Sequence, residues 1–73
     1  MVIIANDTPE TIYDVKIQQL NGTSSHRFHH IDSYASNYTY LPTGGYEVRA
    51  TITGDLFTGY FDLADSNYRF TIN

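Results

Sequence analysis

The chain has no cysteine, no tryptophan, two prolines and four basic residues. Without thiols there is no disulfide to staple a small fold, no thiolate nucleophile and no sulfur ligand for a metal. Without tryptophan, a sugar-stacking site would have to be built from tyrosine. Lys16, Arg27, Arg49 and Arg69 are scattered along the sequence against eight acidic residues, for a formal charge of −4. Nucleic-acid binders concentrate Lys and Arg on one face, so the expected partners include neither nucleic acid nor an anionic membrane surface. No apolar run approaches the ~20 residues of a membrane-spanning helix. The opening MVIIAND carries neither a basic n-region nor a small-residue cleavage site and does not read as a secretory signal. Synthesis in the cytosol is expected unless the chain is cut from a longer precursor, and its final location stays open.

What the chain does have is aromatic mass, with seven Tyr and four Phe among 73 residues. That length makes a single domain, residues 1–73, which buries only about 60% of its unfolded surface. The rings therefore have to carry the core, each covering roughly 150–250 Å².

The hydrophobic pattern has a period of two throughout. Tyr46, Val48, Ala50 and Ile52 alternate with Glu47, Arg49, Thr51 and Thr53, so one face of the pleat is apolar. Val2–Ala5 reads as a first strand, closed by the turn formers Asn6 to Glu10. Along Thr11–Leu20, alternation points Tyr13, Val15 and Ile17 one way and Asp14, Lys16 and Gln18 the other. Asn21-Gly22 predicts a tight type I′ turn. His26–Asp32 is a third strand, with His26, Phe28 and His30 on one face and Arg27, His29 and Ile31 on the other. Tyr38–Leu41, Tyr46–Thr53, Leu56–Leu63 and Asn67–Ile72 complete the set. Gly54-Asp55 is the expected turn before Leu56, and Gly59 marks a bulge or a close backbone approach.

About seven short strands with frequent turn signals predict an all-β antiparallel sandwich, the alternative being a small β-barrel. Only Asp32–Ala35 could wind into a helical turn. Tyr13-Asp-Val-Lys and Tyr46-Glu-Val-Arg look alike, as two strands obeying one pattern would.

The stretch Leu41-Pro42-Thr43-Gly44-Gly45-Tyr46-Glu47-Val48, read as a hairpin within Tyr38–Ile52, resembles the turn-and-strand of transthyretin-like, PEGA-type and related immunoglobulin-like β-sandwich modules. The resemblance covers about a fifth of the chain and carries no catalytic residue. It implies an immunoglobulin-like sandwich of the kind that mostly serves as an accessory, adhesive or protein-contacting domain.

Chemistry has few footholds. His26, His30 and Asp32 are the weak metal candidates, being imidazoles and a carboxylate within one strand whose i,i+2 spacing of about 6–7 Å gathers two ligands more readily than three. Ordinary exposed histidines account for them more simply, and no metal or cofactor is expected. Three imidazoles would still carry the formal charge from −4 towards −1 as the pH falls through about 6.5. Asp62, Asp65, Ser66 and Asn67 carry oxygens suited to Ca²⁺, but they are also default turn residues. The sequons at Asn6, Asn21 and Asn37 matter only in a secreted chain. No nucleophile sits on a glycine-rich elbow, so an enzyme is not expected.

The tyrosines are in surplus. Tyr13, Tyr40, Tyr46 and Tyr68 are assigned to the core, whereas Tyr34, Tyr38 and Tyr60 fall in a loop or on polar faces and are the candidate binding residues. Tyrosine among Ser, Thr, Asn and Gly gives contact area at low entropic cost. The expected function is non-enzymatic protein interaction through strand edges and surface tyrosines, as an adaptor, inhibitor or assembly subunit. The partner would be another protein or a second copy in a homo-oligomer. The alternative is a glycan- or cell-surface-binding module.

Overall fold

Two rows of alternating residues form the middle of the structure. Along one, Val2, Ile4 and Asn6 are buried; along the other, Tyr46, Val48 and Ala50. The computed structural model describes residues 1–73 and contains seven strands. They are β1 (Val2–Asn6), β2 (Ile12–Gln19), β3 (Ser25–Ile31), β4 (Ser36–Thr39), β5 (Gly44–Ile52), β6 (Asp55–Leu63) and β7 (Tyr68–Ile72). No helix is long and apolar enough to cross a membrane.

The strands form two sheets of a small β-sandwich, one of order β4-β1-β7 and one of order β3-β2-β5-β6. Every pairing is antiparallel except β1 with β7, where Val2 lies beside Tyr68 and Asn6 beside Ile72. The core between the sheets holds Val2, Ile4, Ile12, Val15, Ile17, Tyr46, Val48 and Ile72, all at 0% exposure. Phe61 joins the layers: its ring stacks on Tyr46 at 5.4 Å and on Tyr68 at 4.9 Å.

The expected hairpin at Pro42–Gly45 is not one. β4 and β5 belong to different sheets, so residues 40–43 carry the chain across the sandwich and Gly44–Val48 is already strand β5. The buried Tyr46 closes this corner by donating its hydroxyl to the Pro42 carbonyl at 2.5 Å, the arrangement of a tyrosine corner. Burial pushes its phenol above the ordinary value of 10.0.

The β2 assignment also needs correction. Ile12, Val15 and Ile17 face the core, while Tyr13 is 55% exposed. β2 slips by one residue against β5 between Tyr13 and Lys16, and Asp14 sits there with φ 56°. That extra residue is a β-bulge, which reverses the phase of the alternation. β3 stays in step with β2, Val15 facing Phe28 and Ile12 facing Ile31. The inward residues of β3 are therefore Phe28 and Ile31, three apart rather than two or four.

The turns differ from expectation as well. Asn21-Gly22 lies at the apex of the β2–β3 connection without positive φ. The Leu20 N–H is already held by the Gly45 carbonyl of β5 at 2.9 Å, and the loop closes instead through Gln19 N to Ser24 O at 2.8 Å. The two-residue turn with both φ positive is Thr53-Gly54, at 48° and 85°, so Asp55 opens β6. Gly59 makes the close approach and not the bulge, since the β5–β6 register runs unbroken from Gly44 opposite Leu63 to Ile52 opposite Asp55. A Cβ at Gly59 would lie 2.5 Å from the Phe70 ring, so the glycine makes room for that side chain.

Asn6 is the one buried polar residue. Its Nδ2 donates to the carbonyls of Glu10, Ile31 and Asp32 at 2.7–3.1 Å, and its Oδ1 accepts from the Thr8 hydroxyl at 2.6 Å. One amide thus ties the end of β1 to both neighbouring connections, and this sequon has no free side chain for a glycan.

Candidate functional site: the outer face of the three-stranded sheet

With Val2, Ile4 and Asn6 turned inward, Ile3 and Ala5 face out from the central strand β1. The register sets Ile3 between Tyr38 of β4 and Arg69 of β7, and Ala5 between Ser36 and Thr71. These side chains share the outer face. Ala5 is only 4% exposed there, because it floors a groove of about 350 Å³ walled by Tyr34, Ser36, Arg69 and Thr71 and reaching Asp7.

Tyr34 reaches this groove through a strained turn. Ala35 N donates to the Asp32 carbonyl at 3.0 Å, closing the turn expected over Asp32–Ala35, and Tyr34 occupies it with φ 57°. Turns usually give such a position to Gly or Asn, and a bulky residue there costs about 1–2 kcal/mol. Asn6 holds the turn at both ends: its N–H donates to the Ala35 carbonyl at 2.8 Å, and its side chain binds the carbonyls of Ile31 and Asp32. The strained ring is 68% exposed, so the conformation does not serve the core.

Tyr38 and Tyr40 extend the face. They are 56% and 74% exposed, with rings edge to face at 6.0 Å. Tyr40, expected in the core, instead shares parity with Tyr38 and points outward with it. Tyr13 and Tyr68 also leave the assigned core. Tyr13 faces out because of the bulge, and Tyr68, 38% exposed, stacks on Phe61 at the rim. Tyr46 alone of the four is fully buried.

Of the three binding candidates, the fold brings Tyr34 and Tyr38 onto one face and sets Tyr60 apart. Tyr60 lies on the outer face of the other sheet, opposite Glu47, and its hydroxyl donates to the Glu47 carboxylate at 3.2 Å. Tyr40 and Arg69 are the members of the face that sequence reasoning missed. Parity with Tyr38 was the available signal for Tyr40. Nothing local signals Arg69, which arrives through the parallel pairing of β7 with β1.

The metal candidates are divided. His30 and Asp32 approach each other, Nε2 to Oδ1 at 3.7 Å, beside the Tyr13 ring. His26 lies on the opposite face of β3, half-buried and edge-on to Phe28 at 4.6 Å, because the β3 alternation changes phase between them. No group of three or more His, Cys, Asp or Glu residues is placed to hold a metal ion, Asp62 and Asp65 included.

No family model, curated protein or solved structure matches this chain. Its surfaces are therefore the guide to what it does.

Proposed function

We propose that this chain is a non-enzymatic protein-interaction module, of adaptor, inhibitor or assembly-subunit type, that meets its partner through the outer face of the three-stranded sheet. The observation that carries this is the set of exposed tyrosines, Tyr34, Tyr38 and Tyr40, beside a groove with Arg69 on its wall. Tyrosine and arginine are enriched where proteins meet, tyrosine because it presents a large area with few rotors to freeze and arginine because its planar guanidinium makes several hydrogen bonds and stacks on rings. The strain at Tyr34 supports the same reading: a conformation that costs stability and serves no packing is typical of a site. Strands β4 and β7 are the edges of this sheet, so strand addition could continue the surface sideways. Kinship with transthyretin-like and immunoglobulin-like modules, resting on Leu41–Val48, belongs to the same proposal.

The first partner to test is a second copy. Sedimentation at micromolar concentration should give an oligomer, and replacing Tyr34, Tyr38 and Tyr40 together by serine should return it to monomer. Association that survives the triple replacement overturns the assignment of this face, and a wild-type monomer overturns self-association. A glycan-binding role is the second reading, favoured by the hydroxyls of Ser36 and Thr71 beside the Tyr34 ring in one groove. A glycan array without hits would retire it.

A further inference from the structure

The opposite side of the sandwich carries three of the four basic residues. They look scattered in sequence, but Lys16 pairs across to Arg27 of β3 on one side and to Arg49 of β5 on the other. All three point outward from adjacent strands about 4.8 Å apart. They line one open hollow of about 260 Å³ with Asp14, Thr51 and Leu56. Like charges directly opposite each other destabilise a sheet, so this row costs stability unless an anion lies across it.

The fold compensates the row only in part. Arg27 is held by Asp14, with Nη2 at 2.5 Å from Oδ1, and Arg49 lies 3.6 Å from a Glu47 oxygen. Lys16, in the middle, makes no ion pair. A second, independent feature marks the same place: the bulge at Asp14, with its left-handed φ, lies on this row and aims the Asp14 carboxylate at Arg27. Bulges beside binding sites re-aim side chains in this way.

We infer that the Arg27–Lys16–Arg49 row is a second binding surface, which takes an acidic, extended segment of a protein partner. The surroundings select that occupant. Tyr13 and Leu56 flank the row at 55% and 63% exposure, giving apolar side chains a place beside the carboxylates. An extended segment repeats its side chains on one face every ~7 Å, so the row spans about two carboxylates. Arginine takes a carboxylate in bidentate fashion and lysine adds a point charge between. Nucleic acid and sulfated polysaccharide fit less well, because they carry a charge at every unit and need a longer basic surface, whereas this row holds three cations with Asp14 beside Arg27 and Glu47 beside Arg49. This surface faces away from the tyrosine groove and does not depend on it.

The test uses the full chain and a fluorescein-labelled octapeptide alternating glutamate with leucine, read by anisotropy. Its glutamine–leucine counterpart, a heparin fragment and inorganic phosphate are run beside it. The glutamate peptide should bind and should weaken at least about tenfold between about 20 and 200 mM NaCl. Lys16→Gln should weaken it by about tenfold while the thermal midpoint holds or rises, because the like-charge opposition is relieved. The serine triple variant of Tyr34, Tyr38 and Tyr40 should bind the peptide as wild type does, so failure of either surface leaves the other standing. Absent peptide binding, equal binding of the glutamine peptide, or tighter binding of heparin or phosphate would each overturn the inference. Self-association that disappears with Lys16→Gln would also overturn it, by making a second copy the occupant.

Discussion

Tyr13-Asp14-Val15-Lys16 and Tyr46-Glu47-Val48-Arg49 share one pattern and lie on neighbouring strands, with Lys16 opposite Arg49. In the second, Tyr46 and Val48 both face the core at 0% exposure. In the first, Val15 is equally buried while Tyr13 stands 55% exposed. The difference is one residue of backbone: Asp14 takes φ 56° and inserts an extra step, and Glu47 does not. A short pattern says which residues alternate; pairing with a neighbour says where the alternation breaks. The break has chemical consequences, since it brings Asp14 to Arg27 and sets Tyr13 beside the basic row.

The sharpest way to break this comparison is to truncate both tyrosines. Tyr46→Ala should cost about 3–5 kcal/mol, through the cavity, the lost stack on Phe61 and the opened corner. Tyr13→Ala should cost at most about 1 kcal/mol. Urea midpoints measure both, and similar losses would mean that Tyr13 is buried after all. A smaller effect concerns the anchor of the Tyr34 turn, where Asn6→Ala should cost about 1–3 kcal/mol by removing the side-chain bonds to the Glu10, Ile31 and Asp32 carbonyls.

The Tyr46 hydroxyl also gives the fold a pH response. The Tyr46 phenol is raised by burial, so the folded chain keeps its proton where the unfolded chain has lost it. Its contribution to stability is complete below about pH 10 and is lost as the pH climbs through the raised value. Tyr46→Phe should cost about 1 kcal/mol at neutral pH, from the lost bond to Pro42, and should flatten the alkaline decline. Denaturation at stepped pH from neutral to above 10 would show it, and an alkaline limb unchanged in Tyr46→Phe would refute it.

The smallest effects come from the backbone. Glu47→Gly, in regular strand, should lose about 1 kcal/mol, whereas Asp14→Gly should lose less, because the relief of the left-handed conformation offsets the loss of the exposed Arg27 pair. The same logic gives Tyr34→Gly a gain of about 0.5–1 kcal/mol in stability, together with weaker binding at the tyrosine face. A Tyr34→Gly variant that loses stability would show that the ring packs after all.

Much of the fold was legible. Each of the seven strands lies within a residue or two of its expected place, because regular alternation bounded by Gly, Pro and Asn is a local signal. The inward row of β5 was readable for the same reason; that of β1 was not, because Val2 to Ala5 are all apolar. The β2 and β3 rows were not, since a bulge is set by the register against β5. The Asn21-Gly22 turn was misread because its neighbour Leu20 is bonded to a third strand. Of the tyrosine face, Tyr34 and Tyr38 could be picked out by their polar settings. Tyr60 could not be separated from them until strand order put it on the other sheet.

By itself, the sequence determined that this chain folds as strands, which residues can pack a cysteine-free core, and that its surface is rich in tyrosine and poor in positive charge. These follow from side-chain size, polarity and a period of two, properties that each residue carries with it. Tertiary structure alone decided that residues 40–43 cross between sheets, that Arg69 joins Tyr34 on one face, and that Lys16, Arg27 and Arg49 form a row. Those are distances between residues far apart in the chain, set by hydrogen-bond register and strand order once the two sheets close on a shared core.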